Sequence, residues 1–385
     1  MKKLLLIAVV VLTVALGYWY FRPQPLPDYG PAYREYAYVT NGKSNTVSMI
    51  DLRTFEPAKT ISVGANPTGV AANSKKNEIY VVNTASANVT VIDTERNAVV
   101  AVIGVHGMPY FISVSDDGKR AYVANSASNN VSVIDLEKRV VVATIRVGIS
   151  PGLARVSPDG KTVVVSNRGD NTVSLIDADS LRVRSTIPAC AEPTDIAILP
   201  DNKKAFVACS GGAQVASIDL TVDKLLALLD VGKTPIGLAL KPDGGELAVC
   251  NFDSDNFSMI ETTTNEVAGT YLIGDGPTRA VVSADNSRLY VSNFNSNTVA
   301  VYDIDNGKVV ATLPAGRHPD ALALSQSQNY LLVLNSESGD VTVIQKRTPK
   351  KKFEPGEYSL LTMIPVGLQP NDIVVKAFRL AKPAK

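Results

Sequence analysis

Short apolar runs alternate with polar turn clusters along most of the chain. In one stretch the runs cover roughly residues 69–73, 78–83, 89–93 and 98–105 and are rich in Val, Ile and Ala. Clusters of Asn, Ser, Gly and Lys separate them. Runs of this length, with β-branched residues and turn formers at their ends, are typical of β-strands. The stretch is therefore predicted to form four strands.

This four-run pattern recurs with one period. Strings such as Ala37-Tyr38-Val39-Thr40-Asn41 end, in steps of 42, at Asn41, Asn83, Asn125, Asn167, Cys209, Asn251, Asn293 and Asn335. Strings such as Val89-Thr90-Val91-Ile92-Asp93 end, in the same steps, at Asp51, Asp93, Asp135, Asp177, Asp219, Glu261, Asp303 and Gln345. Strings such as Val63-Gly64-Ala65-Asn66-Pro67 place prolines at Pro67, Pro109, Pro151, Pro193, Pro235, Pro277, Pro319 and, after a nine-residue insertion, Pro370.

Four strands in about 42 residues are typical of a β-propeller blade, which cannot bury both faces of its sheet alone. Eight matches to each string predict an all-β, eight-bladed propeller of four-stranded blades. The repeats begin at a second strand and end on an orphan first strand, residues 372–378, which is expected to close the ring in blade 1. A seven-bladed ring with one displaced repeat is the alternative.

The strings carry a family resemblance. Tyr38-Val39-Thr40-Asn41, Tyr80-Val81-Val82-Asn83 and Tyr290-Val291-Ser292-Asn293 resemble the YVTN family of β-propeller repeats, over residues 35–378. The resemblance implies an exported or surface-associated protein, distantly similar to lactonase-like propellers and to the haem domain of cytochrome cd-type nitrite reductase. It implies little about function, because the matching residues are mostly strand and turn formers.

The N-terminus has the layout of an export segment. Lys2 and Lys3 precede the apolar run 4–16, and an aromatic cluster follows at 18–21. An uncleaved membrane anchor and a signal peptide cleaved near residue 17 are both consistent with this layout, and both put the remainder outside the cytoplasm. The expected organisation is a signal or anchor at 1–21, a Pro-rich spacer at 22–34, the propeller at 35–378 and a basic tail at 379–385.

Composition narrows the chemistry. Lys and Arg number 38 against 37 Asp and Glu, so no overall charge favours nucleic acid, and none is expected as a partner. With only two histidines, the chain cannot build a three-histidine metal centre, and no metal or cofactor is assigned. In an oxidising compartment Cys190 and Cys209 could form a disulfide that leaves Cys250 as a buried thiol; the alternative is three free thiols.

Propeller topology assigns the loops to two faces. We call top the face that holds the loops before the first strands and after the second strands, and bottom the opposite face. The spacer, the inserted loop and the tail are all expected at the bottom. The loop adds Lys346, Arg347, Lys350, Lys351 and Lys352, which are interpreted either as facing an anionic membrane surface or as a solvated charge run.

The top rim is expected to hold the ligand site, because it varies while the strands repeat. Charged side chains replace small or apolar ones at Asp195, Arg279, Asp320 and Asp372, and Tyr110 lies beside the second loop proline. Alternatively, Arg279 only neutralises its neighbouring aspartates. Six of eight repeats have Gly three residues before the proline, which predicts a positive φ there. His106 replaces one of these glycines and, with His318 in another top loop, could ligate a metal or haem-type cofactor; the alternative is two loop histidines without a special role.

Sequence motifs favour no reaction. Gly148-Ile149-Ser150-Pro151-Gly152 matches GxSxG only by chance, since a nucleophile elbow needs a strand, a turn and a helix. No catalytic residue is assigned, and enzymatic activity stays undecided. The favoured hypothesis is a non-catalytic, extracytoplasmic module, tethered to the membrane, that binds a small ligand or an extracytoplasmic protein at its top face. The alternative is a periplasmic lactonase-like enzyme or a haem- or metal-handling propeller.

Overall fold

The structure, a computed structural model, describes residues 30–347 and 357–380. They form eight four-stranded antiparallel sheets, whose first strands follow one another in chain order around a central channel. The predicted eight-bladed propeller is confirmed, and the seven-bladed alternative is wrong. Blade 1 contains strands from both ends of the chain, and blades 2 to 8 follow in chain order.

The two inner strands of each blade are as follows. The first strands, which surround the channel, are β32 (Pro370–Arg379), β4 (Pro67–Ala72), β8 (Pro109–Val114), β12 (Pro151–Val156), β16 (Pro193–Ile198), β20 (Pro235–Leu240), β24 (Pro277–Val282) and β28 (Pro319–Leu324). The second strands are β1 (Tyr33–Asn41), β5 (Glu78–Asn83), β9 (Arg120–Asn125), β13 (Thr162–Asn167), β17 (Lys204–Cys209), β21 (Glu246–Asn251), β25 (Arg288–Asn293) and β29 (Tyr330–Asn335).

The two outer strands complete each sheet. The third strands are β2 (Thr46–Asp51), β6 (Asn88–Asp93), β10 (Asn130–Asp135), β14 (Thr172–Asp177), β18 (Gln214–Asp219), β22 (Asn256–Glu261), β26 (Thr298–Asp303) and β30 (Asp340–Lys346). The fourth strands are β3 (Glu56–Ser62), β7 (Ala98–Gly104), β11 (Val140–Arg146), β15 (Arg182–Pro188), β19 (Lys224–Asp230), β23 (Glu266–Leu272), β27 (Lys308–Pro314) and β31 (Tyr358–Pro365). Two 3-10 turns, Ser126–Ser128 and Phe252–Ser254, follow second strands.

The ring closes as the orphan strand predicts. β32 pairs antiparallel with β1, in a register that sets Tyr38 opposite Val374 and Tyr33 opposite Arg379. The buried Glu35 adds a contact to blade 8, because its Oε1 accepts a hydrogen bond from Gln326 N at 2.7 Å. Strands from both ends of the repeat region therefore share one sheet, in which β32 pairs with the inner edge of β1.

The second strands have almost continuously apolar sequences because both of their faces are buried. Ile79 and Val81 pack toward blade 1, whereas Tyr80 and Val82 pack toward blade 3. All four side chains are fully buried, since each sheet is covered on both faces by its neighbours. Burying a side chain of this size contributes about 1.5–3 kcal/mol, so the inter-blade contacts repeated around the ring form the core.

The start of β1, the end of β32 and the base of the inserted loop lie on the bottom face. Tyr33 and Arg379 are paired at the same end of blade 1, and the connection from Lys346 to Tyr358 joins the third and fourth strands of blade 8. Lys350, Lys351 and Lys352, the apolar run 4–16, the spacer before residue 30 and the tail from residue 381 lie outside the described residues. Within residues 30–347 and 357–380 no helix is long and apolar enough to cross a membrane.

Candidate functional site

The loops before the first strands and those after the second strands meet on one face, as expected for the top. Thr84 N donates to Asn66 O at 2.9 Å, and Ala85 N donates to Ala65 O at 3.2 Å. Equivalent pairs of hydrogen bonds recur in other blades. The ends of the loops that carry the predicted site residues are therefore fixed by backbone contacts.

The positive φ angles of these loops occur at a different residue from the predicted one. The residue directly before the loop proline has φ between 49° and 65° in every blade, at Asn66, Met108, Ser150, Glu192, Thr234, Gly276, His318 and Gln369. Of the six glycines predicted to need positive φ, only Gly274 has it. A non-glycine residue in this conformation costs about 1–2 kcal/mol. Hydrogen bonds hold it in place, as when His318 N donates to Asn297 Oδ1 at 2.9 Å.

The glycines three residues before the proline instead make room for the asparagine that ends the second strand of the same blade. A Cβ on Gly64 would lie 2.7 Å from Asn83 Cβ, which is closer than such atoms pack. Asn83 Nδ2 in turn donates to Asn88 Oδ1 at 2.7 Å and Thr90 Oγ1 at 2.8 Å. The repeated Gly and Asn are thus one packing unit that joins the top loop to the second and third strands.

In blade 5 a disulfide takes the place of this unit. Cys190 occupies the glycine position and Cys209 the asparagine position, and the structure joins them in a disulfide with 5.6 Å between their Cα atoms. Cys250 is a free, buried thiol, and burial raises its pKa to about 12. The disulfide fixes the loop that leads into β16, three residues before Pro193.

Asp195, on β16, holds neighbouring blades together. Its Oδ1 accepts a hydrogen bond from Ile196 N at 2.8 Å, and its Oδ2 accepts one from Leu238 N in blade 6 at 3.0 Å. Two arginines reach the same carboxylate, since Arg155 Nη2 and Arg279 Nη1 each lie 3.5 Å from one of its oxygens. The side chain is only 9% exposed, so this carboxylate is largely structural.

Arg279 extends from blade 7 past blade 6 to reach Asp195. Burial in the channel lowers its pKa, but the negative charges of Asp195, Asp320 and Asp372 outweigh that effect and hold the pKa above its usual range. The interpretation that Arg279 neutralises aspartates across the channel is consistent with these contacts. Its side chain remains 49% exposed, so it is also accessible from the channel mouth.

The other two aspartates are half-buried in the channel. Asp372 Oδ2 accepts from Val70 N at 3.0 Å and its Oδ1 from Ile373 N at 2.9 Å. Burial raises the pKa of Asp372 to about 6 against the lowering effect of these amides and of Arg279. Burial also raises the pKa of Asp320, although Arg279 opposes the shift.

A cavity of about 360 Å³ opens at the top, on the side of blades 2 to 7. Its lining comprises Thr84, Met108, Tyr110, Phe111, Ser126, Ser150, Gly152, Leu153, Arg155, Arg168, Pro193, Thr194, Asp195, Ile236 and Arg279. Of the predicted site residues it brings together Asp195, Arg279 and Tyr110. Tyr110 is 54% exposed, so its ring is available to a ligand.

The two histidines do not meet. His106 Nε2 lies 3.0 Å from Thr144 Oγ1 in blade 3. The ring of His318 stacks on Phe294 with centroids 4.1 Å apart, and its Nδ1 lies 3.3 Å from Glu337 Oε2. Neither lines the cavity, and no group of three metal-ligating side chains occurs in the part of the chain that the structure describes. The geometry thus supplies no shared site for the cofactor ligation considered for them.

The start of the inserted basic loop is already paired. Lys346 Nζ lies 3.9 Å from Glu357 Oε1, and Arg347 Nε donates to Gln345 Oε1 at 3.1 Å. Lys346 and Glu357 therefore fasten the two ends of the loop to each other, and the charge of Lys346 is partly compensated.

Among the cavity residues that were not selected from the sequence, three have charged or aromatic side chains: Phe111, Arg155 and Arg168. Arg155 stands four residues after its loop proline, where the other blades have Ala, Ser or Val, so the aligned repeats contain the information needed to find it. Arg168 directly follows the second strand and pairs with Glu192 at 2.9 Å. Phe111 lies under the Arg155 guanidinium, 5.7 Å from its central carbon.

Solved structures share the fold. Hydrazine synthase from Kuenenia stuttgartiensis is 24% identical with a TM-score of 0.58, over 69% of this chain and 91% of that one. Dihydro-heme d1 dehydrogenase NirN, in complex with DHE, is 14% identical with a TM-score of 0.74, over 88% of this chain and 74% of that one. A functionally unknown protein from Desulfotomaculum acetoxidans is 19% identical with a TM-score of 0.59, over 74% of this chain and 99% of that one.

Family models account for most of the chain. None of the curated proteins matches it significantly. The description "Lactonase, 7-bladed beta-propeller" matches residues 244–357, although the structure has eight blades. The description "YNCE-like beta-propeller" matches residues 5–156 and 152–242, which together exceed half of the chain. The sequence repeats, the eight closed blades and this match agree, and the chain belongs to the YNCE-like β-propeller family.

Proposed function

We propose that the protein is an extracytoplasmic binding module, tethered to the membrane by its N-terminal segment, that takes a small ligand at its top face and catalyses no reaction. The observation that carries the proposal is the top cavity of about 360 Å³. Its size is within the range of small-molecule sites, and it combines an apolar lining with a few charged groups, as such sites do.

The chemistry of the aspartates supports binding rather than catalysis. In Asp195 and in Asp372, each of the two carboxylate oxygens accepts a backbone N–H. A general acid or base must be free to exchange a proton with a bound substrate. These two carboxylates are instead committed to the fold, while the cavity presents arginines and aromatic rings.

A cavity-filling substitution tests the proposal. Gly152 lines the cavity and has no positive φ, so Gly152→Leu adds bulk there without backbone strain. Crystals of the full chain soaked with a fragment mixture are expected to show fragments in the top cavity of the wild type and of the control Ala85→Leu, whose site is an exposed top-loop residue. Gly152→Leu should lose them. Fragments bound only elsewhere, or retained in Gly152→Leu, would refute a top-face binding module.

The proposed orientation sets the bottom face toward the membrane. Supporting it, the chain enters β1 and leaves β32 at the bottom end of blade 1, where Tyr33 and Arg379 pair. Ala85→Cys in spheroplasts, treated with a membrane-impermeant maleimide, tests the location. We expect labelling before lysis, and labelling that requires lysis would contradict an extracytoplasmic propeller.

A further inference from the structure

Two arginines compete for one carboxylate at the edge of the top cavity. Arg155 Nη2 and Arg279 Nη1 lie 3.5 Å from the two oxygens of Asp195, beyond the length of a good charge-assisted hydrogen bond. Asp195 already accepts two backbone amides. One negative charge thus faces two guanidinium groups. Each guanidinium group keeps N–H donors that Asp195 does not bind.

Arg155 has unused hydrogen-bonding capacity. Its Nε is buried and has no hydrogen-bond partner in the described part of the chain, which is costly for a charged group. Its side chain is 38% exposed and stands over the ring of Phe111. The third arginine of the cavity, Arg168, differs, because Glu192 already binds it at 2.9 Å.

Much of the remaining lining is apolar or aromatic, and hydroxyl groups are added by Thr84, Ser126, Ser150 and Thr194. The apolar and aromatic part of the lining is formed by Met108, Tyr110, Phe111, Leu153 and Ile236. Met108 and Tyr110 are 57% and 54% exposed, so both side chains are accessible to a ligand. Such a surface favours the flat, weakly hydrated face of an aromatic ring system.

We propose that the top cavity binds an aromatic organic acid, with its acid group on Arg155 and Arg279 and its rings against Phe111 and Tyr110. The inference rests on the proposed function and names the ligand class of the same site. The arginine pair supplies the charge-assisted hydrogen bonds, and the aromatic pair supplies the apolar contact area. Asp320 and Asp372 do not line the cavity.

Two probes that differ by one acid group test the proposal. 1-Anilinonaphthalene-8-sulfonate is an aromatic anion, and N-phenyl-1-naphthylamine is the same ring system without the sulfonate. Their fluorescence on binding to the full chain gives both affinities. We expect the anion to bind at least tenfold more tightly, as the loss of a charge-assisted hydrogen bond predicts.

Variants assign the effect to the site. Arg155→Gln and Arg279→Gln should each weaken anion binding about tenfold and leave the neutral probe within twofold. The control Arg317→Gln removes an exposed top-loop arginine outside the cavity and should change neither. Gly152→Leu should abolish binding of both probes at this site.

Each other outcome decides between the two proposals. Equal affinities of the two probes for the wild type, or an unchanged anion affinity in both arginine variants, would overturn the aromatic-acid inference and leave the binding module standing. The wild-type comparison needs no variant to fold. If neither probe binds, or if Gly152→Leu leaves the binding of both probes unchanged, the aromatic-acid inference is overturned. The proposed function is decided separately, by the soaking experiment.

Discussion

Asp195 and Asp372 make the same pair of contacts on opposite sides of the channel. Each lies two residues after its loop proline, in blades 5 and 1, which are four blades apart in the ring of eight. Each accepts its own following amide on Oδ1 and the amide of the next blade, Leu238 or Val70, on Oδ2. The two carboxylates are therefore equivalent clamps between first strands.

Removing one clamp should destabilise the ring. In Asp195→Ala the amides of Ile196 and Leu238 lose their acceptor, and two arginines lose their counter-charge. We expect a loss of about 2–4 kcal/mol in the free energy of unfolding, measured by urea titration. Asp243→Ala, at a half-exposed bottom turn, is the control and should cost less than about 1 kcal/mol. Equal losses would show that Asp195 has no special structural role.

Asp372 should make stability depend on pH. Burial raises its pKa from 3.8 to about 6, so the folded state binds the proton more tightly than the unfolded chain. The contribution of protonated Asp372 to the free energy of unfolding is fully present below pH 4 and is lost as the pH rises through 6. Its total is at most about 3 kcal/mol. Asp372→Asn cannot titrate, so its unfolding free energy should decline less than that of the wild type between pH 4 and 6. Parallel pH profiles would contradict the assignment.

The two cysteines should be replaceable together. Cys190→Gly with Cys209→Asn recreates the packing unit of the other blades, whereas each single change leaves an unmatched partner. We expect the double variant to lose less stability than the sum of the two single variants, measured by urea unfolding under oxidising conditions.

A reductant provides the control for the cysteine experiment. Dithiothreitol should destabilise the wild type by up to about 3 kcal/mol, the value expected for a loop of this size, and leave the double variant unchanged. Additive losses in the single and double variants would mean that the Gly and Asn positions do not act as a unit.

Gly64 offers a test of why glycine occupies its position. Gly64→Ala should cost about 1–3 kcal/mol, because the added Cβ meets Asn83. Gly64→Ala with Asn83→Ala removes the obstacle, and its cost should be smaller than the sum of the two single costs. If the glycine were required by its backbone angle, Asn83→Ala would give no relief. Thermal and urea unfolding of the four proteins distinguish the two explanations.

The bottom face should prefer anionic membranes. Lys350, Lys351 and Lys352 lie in the sequence of the inserted loop, whose base is joined by the ion pair of Lys346 with Glu357. Each basic residue near such a surface contributes up to about 1 kcal/mol. A chain without residues 1–21 should co-sediment with anionic vesicles at least tenfold better than with neutral ones. Replacing the three lysines by Gln should remove the difference. Salt-insensitive, equal binding to both vesicles would leave the loop as a solvated charge run.

The fold could be predicted because its determinants recur at one spacing. Tyr80 and Asn83 each have counterparts 42 residues away, so register, strand order and the closing role of β32 follow from counting. The site could be predicted only in part, because its residues are the departures from the repeat. Arg155 is such a departure, but whether it reaches Asp195 depends on distances across blades, which a sequence pattern does not contain.

The glycine interpretation failed for a similar reason. A repeated glycine is compatible with a positive φ or with a close neighbour, and only coordinates distinguish the two. The neighbour of Gly64 is Asn83, nineteen residues later in the chain. The positive φ falls instead on the residue before the proline, whose identity differs from blade to blade and therefore leaves no repeated signature.

The pairing of β1 with β32 has a consequence for biogenesis. Of the described strands, the innermost strand of blade 1 is the last to be synthesised, so blade 1 stays incomplete until residues 370–379 have left the ribosome. Until then β1 presents an unpaired edge, the kind of surface on which chains aggregate. A chain whose ring cannot close before β32 is made also stays able to pass through a narrow pore until that point.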